Sequence, residues 1–489
     1  MRANDFRWVT LVAPSALLTA CAVGPDYVRP SIEAPAAFKE LQGWKQAEPR
    51  DHVIKGKWWE VFNDPLLSSL EEQVDVSNQN LAQAEAQYRQ ARALVQSARA
   101  NYFPTVSASA SSTRSRSSSN LGGQSSLATN QISRSVTNSH ALALDATWEA
   151  DLWGRVRRSV EANQASAQAS AADLEATRLS LQAELAQSYF QLRSLDAQAQ
   201  LLEDTVAAYE KSLQLTENQY KVGVVAKADV VQAQTQLKTT QAQAIDVGVQ
   251  RAQLEHAIAL LVGKPAATFS IERASLNAAL PPIPVGMPSE LLERRPDVAS
   301  AERRVASANA QIGVAKAAYF PSLTLSASGG YQSSSIAQLL TAPSRFWSIG
   351  PAIAETLFDG GARRALTEQA VAGYDASVAA YRQTVLIGFQ EVEDNLAALR
   401  ILEEEAQVQD EAVKLAQQSV TLTLNQYKAG TVSYLNVVTV QATALANERT
   451  AVNILSQRLA ASVLLIKALG GGWNASDLPD ADRLASGNG

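Results

Sequence analysis

A heptad-patterned block that occurs twice constrains this chain more than any other feature. Arg178, Leu185, Leu192, Ala199, Val206, Leu213 and Tyr220 stand at every seventh residue. Leu174, Leu181, Ser188, Leu195, Leu202, Tyr209 and Thr216 form a second series, offset by three or four. This 3-4 alternation is the seam of a coiled coil. No proline interrupts the run from Gly154 to Tyr220, and good helix formers (Ala, Gln, Leu, Glu) fill most other positions. At 1.5 Å per residue the run makes a helix roughly 100 Å long, which a globular core cannot use.

The block returns. Asn218-Gln219-Tyr220-Lys221-Val222-Gly223 reappears 207 residues later as Asn425-Gln426-Tyr427-Lys428-Ala429-Gly430. The first series shifted by that distance reads Val385, Val392, Leu399, Ala406, Val413, Val420, Tyr427. Upstream, Tyr102-Phe103-Pro104 is answered by Tyr319-Phe320-Pro321 and Arg157-Arg158 by Arg363-Arg364. The chain is a tandem duplication, so its 489 residues point to one doubled unit rather than several domains.

Composition excludes several functions. A net charge of −6 and a pI near 5.4 offer nothing to a nucleic-acid backbone. Cys21 is the only cysteine, which rules out an intrachain disulfide and a multi-cysteine metal site. His52, His140 and His256 are far apart and fit no ligand spacing, so no metal is expected. No nucleophile–base–orienter set is visible, and Glu403-Glu404-Glu405 reads as a solvated helix face, so the chain is not expected to be an enzyme.

Arg2 and Arg7 precede an apolar run from Trp8 to Ala20, too short for a bilayer crossing of about 20 residues and suited to a secretory signal. The run ends Leu18-Thr19-Ala20-Cys21, which resembles the bacterial lipoprotein box; cleavage there leaves Cys21 as a lipid-bearing N-terminus. Ala22, in place of an aspartate that retains such proteins in the inner membrane, implies the outer membrane. A proline-rich strap without period follows, then Asp64-Pro65, a helix start, and a helix from about Leu66 to Asn101.

Between Pro104 and Leu152 the period changes to two. Leu142, Leu144, Ala146, Trp148, Ala150 and Leu152 share one face; Ala141, Ala143, Asp145, Thr147, Glu149 and Asp151 share the other. This is the pattern of a transmembrane β-strand beside a wet lumen. In the second repeat Trp347, Ile349, Pro351, Ile353 and Leu357 alternate likewise, with Glu355 intruding, and weaker strands start at Thr105 and Ser322. The Ser-rich link from about Ser111 to Ser139 carries Arg114, Arg116 and Arg134 and reads as a loop facing outward. A second helix runs from about Lys227 to Leu261, and a proline-rich crossover follows Pro265.

The expected fold is mainly α with a membrane β-barrel, built from a duplicated helix-β-β-helix-helix repeat. The chain divides into a signal peptide (1–20), a lipid-anchored strap (21–65), repeat one (66–263, strands about 104–152), a crossover (264–295), repeat two (296–472, strands about 321–358) and a tail (473–489). Four strands cannot close a barrel, and an open edge in lipid leaves backbone groups unpaired, so several copies have to complete it.

The chain resembles the TolC-like outer membrane factors, in particular the lipid-anchored NodT type that serves multidrug efflux. The marks are Cys21-Ala22-Val23-Gly24-Pro25-Asp26-Tyr27, Leu291-Leu292-Glu293-Arg294-Arg295-Pro296-Asp297, Ala318-Tyr319-Phe320-Pro321, Phe358-Asp359-Gly360-Gly361 and Gln426-Tyr427-Lys428-Ala429-Gly430. The resemblance implies a homotrimer with a twelve-stranded barrel in the outer membrane, joined to a twelve-helix periplasmic tunnel. It implies a passive exit duct for small molecules, working with a periplasmic adaptor (membrane fusion) protein and an inner-membrane transporter of RND type. A type I protein-secretion duct on the same fold is the alternative. No cofactor is expected beyond lipid on Cys21, and the turns at Val222, Gly223, Ala429 and Gly430 are the expected adaptor-docking tips.

The family's gate leucine falls on Leu435. The aspartate that some members carry one helical turn later falls on Thr439, and its arginine neighbour on Ala442, so an acidic, cation-binding ring is not carried over. Asp229, in the place that Asn436 takes in repeat two, is either a substitute for it or a helix-start charge favoured by the macrodipole. Tyr220 and Tyr427 are expected to bond across the helix seam through their hydroxyls.

Overall fold

The computed structural model describes residues 23–40, 56–116, 118, 136–276, 280–281, 283, 288–480 and 483–484. The expected signal peptide, Cys21, His52 and most of the Ser-rich link lie outside these residues. Both heptad blocks are single helices of 67 residues, α3 (Arg155–Lys221) and α7 (Ala362–Lys428), as numbered in the chain order that follows. Before them stand α1 (Pro65–Ser77), α2 (Gln79–Ala100), β1 (Thr105–Ser115) and β2 (Thr137–Ala150). After α3 come α4 (Lys227–Leu261), a four-residue α5 (Leu291–Arg294), α6 (Pro296–Ala317), β3 (Ser322–Ser333) and β4 (Arg345–Ala354). The returning helix α8 (Tyr434–Ala468) has the 35-residue length of α4. Thr105 and Ser322 open their strands 217 residues apart, whereas α3 and α7 start 207 apart; the ten-residue difference falls in the hairpins.

Local chemistry sets the boundaries. The Asp64 carboxylate accepts from the Leu66 and Leu67 amides at 2.9 and 3.0 Å, with Pro65 at the first helical position. The single helix expected over Leu66–Asn101 is in fact two. Asn78 breaks it, accepting from the Asn80 and Leu81 amides at 2.9 and 3.1 Å while its Nδ2 donates to the Leu261 carbonyl at 2.7 Å. A side chain that caps one helix and holds another outweighs the periodic pattern around it. At α3 the Asp151 carboxylate accepts from Val156 and Arg157; at α7 Asp359 accepts from Arg363. The preceding glycines, Gly154 and Gly361, are left-handed in both repeats.

The four strands form one antiparallel sheet in the order β1-β2-β3-β4. β4 ends at Ala354, short of the expected limit near residue 358, because Glu355 breaks its alternation. Pro351 lies on β4, opposite Leu325 of β3, and β4 is an edge of the sheet in a single chain. The main core lies where the helices meet the strap and crossover: Trp58, Trp59, Leu185, Tyr189, Phe190, Leu192, Val392, Leu396, Leu459 and Ile466 are buried together with Phe38 and Ile271. By length and composition α8 could cross a bilayer, yet Leu459, Val463, Leu465 and Ile466 on it are buried in that core.

The strap crosses three helices. Asp26 pairs with the buried Arg158 of α3 at 2.8 Å, Tyr27 donates to Glu302 of α6, and Arg29 donates to the Tyr381 hydroxyl of α7 at 3.2 Å. Gly24 sits so close to α6 that a β-carbon there would lie 2.5 Å from the Gly313 Cα. Further along, the Glu393 carboxylate accepts from the Lys39 and Glu40 amides at 2.7 and 3.0 Å.

Candidate functional site: a two-faced sheet and a helical tip

Strand register sorts the sheet into two chemistries. Ala108, Leu144, Gly329 and Trp347 lie side by side in one row, and Val106, Ala146, Ala327 and Ile349 in the next. Trp148, Leu325 and Pro351 continue that face toward the helices, followed by Leu323 and Ile353. Its large members are exposed, Trp347 to 80% and Ile349 to 76%, and among the described residues no layer covers this face. A contiguous exposed apolar face marks contact with another apolar phase. The opposite face carries Ser107, Ser109, Ser111, Thr147, Thr324, Ser326 and Ser328 with Asp145 and Glu149. Ser328 donates to Asp145 at 2.7 Å, and Glu149 is paired with Arg155 at 2.6 Å. Aromatic side chains gather where strands become helices: Trp153 stacks on Phe320 at 4.7 Å, its Nε1 donates to the Pro321 carbonyl, and Trp148 donates to the Tyr102 carbonyl.

About 100 Å along the helices, the other end closes in two matching turns. Val224 N donates to the Gln219 carbonyl and Gly223 N to that of Tyr220, each at 2.9 Å; Thr431 and Gly430 repeat this with Gln426 and Tyr427 at 3.0 and 2.9 Å. These are Schellman closures, which need the left-handed φ of +80° at Gly223 and +73° at Gly430. Both glycines face open space, as do Val222 and Ala429, so the four tip residues form a free apex.

Behind the apex, Ala233, Tyr427, Tyr434 and Val437 are buried, with the two tyrosine rings 5.4 Å apart. Burial pushes the Tyr434 phenol up to about 12. Tyr427 lies 3.1 Å from Thr216 Oγ1, so α7 is bonded to α3 across the two repeats. Tyr220 does not mirror it: that ring is half-exposed, with the Lys227 ammonium 5.4 Å from its centroid. The difference follows from position, since Tyr427 faces α3 within the chain and Tyr220 faces no second repeat.

Leu435 is exposed on the first turn of α8 and Thr439 lies on the same face. The Thr439 hydroxyl donates to the Leu435 carbonyl at 2.9 Å, which ties it to its own helix. Asp229 is half-buried and accepts from the Ala226 amide at 3.2 Å, the geometry of a helix-start charge. Leu435 and Asp229 therefore sit on different helices of the same apex. His140 lies 2.9 Å from Ser112 on the sheet, and among the described residues no group of His, Cys, Asp and Glu is placed to hold a metal ion.

The sequence reading missed Ser212 and Gln441, buried at the seam below Tyr427, and Glu71, buried in α1 with neither carboxylate oxygen partnered. A signal for the seam was present in Ser188 and Thr216, the polar members of a heptad series. Glu71 stands in an unremarked acidic pair, Glu71-Glu72, and only packing separates their roles.

The profile of the outer membrane efflux protein family matches residues 70–264 and 287–471, both repeats. A probable efflux pump outer membrane protein, TtgC of Pseudomonas putida, is 32% identical over 95% of this chain and 95% of its own. The pyoverdine export outer membrane protein OpmQ of Pseudomonas aeruginosa is 30% identical over 96% of this chain and 97% of its own. The solved outer-membrane channel OprN superposes with a TM-score of 0.86 at 31% identity, covering 93% of this chain and all of that one.

Proposed function

The chain belongs to the outer membrane efflux protein family, an outer-membrane channel class, and we propose that three copies form the exit duct of a tripartite efflux pump. The observation that carries this is the open four-stranded sheet with one apolar face and two unpaired edges. In lipid, edge amides and carbonyls cost several kcal/mol each unless a strand pairs with them. A second copy supplies that strand, because the in-chain contact of β2 with β3 has its duplicate in β4 against the next copy's β1. Three copies bring twelve strands, and their six long helices with six returning ones surround a tunnel lined by polar or small side chains. The duct is passive, and an inner-membrane transporter (RND type) reached through a periplasmic adaptor drives export. The apex at Val222, Gly223, Ala429 and Gly430 is the surface the adaptor meets. The substrates are small molecules; a face of serine and threonine hydroxyls selects weakly among them.

Anchoring through lipid on Cys21 fits the strap. Val23 N donates to the Trp153 carbonyl at 3.0 Å, which brings the chain two residues from Cys21 to the junction of strands and helices, at the membrane surface. Cys21→Ser should then remove the acyl mass while the barrel still inserts. The duplication also predicts the intercopy register. The pairing of Ala146 with Ala327, carried forward by the repeat offsets, puts Ile353 opposite the next copy's Ala110. Oxidising the A110C/I353C double variant should give a covalent trimer on denaturing gels. A monodisperse monomer by light scattering, or no cross-link, rejects the assembly.

A further inference from the structure

The Arg-bearing end of the hairpins is not used by a passive duct, and its composition is one-sided. Residues 105–144 contain Arg114, Arg116, Arg134 and His140 but no aspartate or glutamate; residues 321–354 contain Arg345 and again no acid. The sheet's acids, Asp145 and Glu149, lie nearer the helices and on the polar face.

Register puts Arg114, His140 and Arg345 on the other, apolar face. Arg114 alternates with Ala110, Ala108 and Val106; His140 with Leu142 and Leu144; Arg345 with Trp347 and Ile349. They also share a level. Counted from the helical end, Arg114 is the tenth residue of β1, Arg345 the tenth of β4 and His140 the eleventh of β2. Tyr331 is the tenth of β3, and the Arg345 guanidinium lies 5.8 Å from its ring centroid. Ten residues of strand span about 33 Å, which at the usual barrel tilt rises about 25 Å, the height of the lipid-facing band. Arg114, His140 and Arg345 therefore stand at the outer rim of that band, where headgroups begin. Guanidinium groups are forks suited to phosphate oxygens, and among the described residues Arg114 stands opposite Asn138 and Arg345 over the Tyr331 ring, with no ion pair found for either.

We infer that Arg114, His140, Tyr331 and Arg345 form a belt that binds the phosphates of phosphorylated glycolipids in the outer leaflet. The belt rests on the apolar face meeting lipid. It recognises the phosphate rather than the acyl chains, since each chain contacts the apolar rows below in the same way whatever the headgroup carries. In the closed ring, Arg345 on β4 stands just past the outer end of the next copy's β1, four positions beyond that copy's Arg114, so a headgroup with two phosphates bridges two copies.

The test uses full-length protein in neutral detergent with added bisphosphorylated lipid A, and counts bound glycolipid by native mass spectrometry. Dephosphorylated lipid A and inorganic phosphate serve as separate arms. R114Q/R345Q should lose about tenfold in retention of the bisphosphorylated form, while R114K/R345K keeps most of it. Dephosphorylated lipid should bind both proteins equally weakly, and inorganic phosphate should compete only at high concentration. Equal retention by wild type and R114Q/R345Q overturns the proposal. So does an altered ion selectivity of the R114Q/R345Q channel with unchanged lipid binding, which would put the arginines at the pore mouth. Wild-type protein that forms no channel in planar bilayers would instead reject the duct reading.

Discussion

α3 and α7 have the same length, the same heptad register and the same turn at the end, yet a single chain buries 27 residues of α3 and seven of α7. α3 packs against α1, α2, α4, α6 and α8, whereas α7 packs chiefly against α6 and α8 and meets α3 at its tip. The outer face of α7 presents Ile401, Val408, Leu415 and Leu422 at strict seven-residue spacing, all more than half exposed. The matching stretch of α3 carries Ser194, Leu201, Ala208 and Leu215, of which only Ala208 is exposed. Two equal helices with unequal cover show which side of the repeat is unfinished. The bare stripe has the spacing of an internal helix contact and lacks only the helix.

The strongest way to break this comparison is to charge the stripe. Val408→Glu with Leu415→Glu would bury two unpaired carboxylates per interface, costing about 3 kcal/mol or more each. Light scattering should then find monomers, whereas glutamate at the exposed Ala208 of α3 should leave the assembly intact. A trimer surviving the double substitution would mean that α7 faces solvent. The tip sharpens the same contrast, since Val437 and Gln441 of α8 are buried within the chain and Leu435 is not. Leu435→Ala should raise single-channel conductance by about twofold, through a wider apolar constriction. Thr439→Ala, which removes a hydroxyl already bonded to its own helix, should change it little. Equal small effects would move the constriction elsewhere, and Asp229 would be tested next.

The smallest effect lies on the covered side, at Glu71. Burial, and then the nearby Asp75, hold its carboxyl well above the usual range. The unfolded chain gives up this proton near the ordinary pKa while the folded chain keeps it. Stability therefore falls as pH rises from about 4.5 toward the folded value and is greatest below that window. Glu71→Gln should remove the slope, raising stability at pH 7.5 and leaving it unchanged at pH 4. An equal effect at both pH values, in thermal unfolding, would exclude titration as the cause.

Much of this was legible in the residues because it is periodic. The heptads marked α3 and α7, the alternation marked β2, and the duplication marked the rest. The expected outer-membrane channel of mixed helix and strand agrees with the relatives and with the solved neighbour. Where reading by period failed, one side chain acted at long range. Asn78 splits a helix because it reaches Leu261. The quoted motifs proved to mark joints: Gly24 to Tyr27 dock the strap on α3 and α6. Arg295, buried at the start of α6, bonds Asp297, Glu391 and the Ala468 carbonyl. Such roles rest on bonds to partners from 96 to 275 residues away, which no local pattern encodes.

The bond between Tyr427 and Thr216 bears on how often such a duct stands open. Any widening that draws the last turn of α7 from α3 breaks one such bond in each copy, for a net of about 1 kcal/mol. If three copies move as one, the sum of about 3 kcal/mol holds the widened form below about 1% of molecules at rest. A protein docking at the apex then needs no work stroke. It needs only to bind the widened form a few hundred times more tightly than the narrow one, and the same arithmetic returns the duct to rest when it leaves.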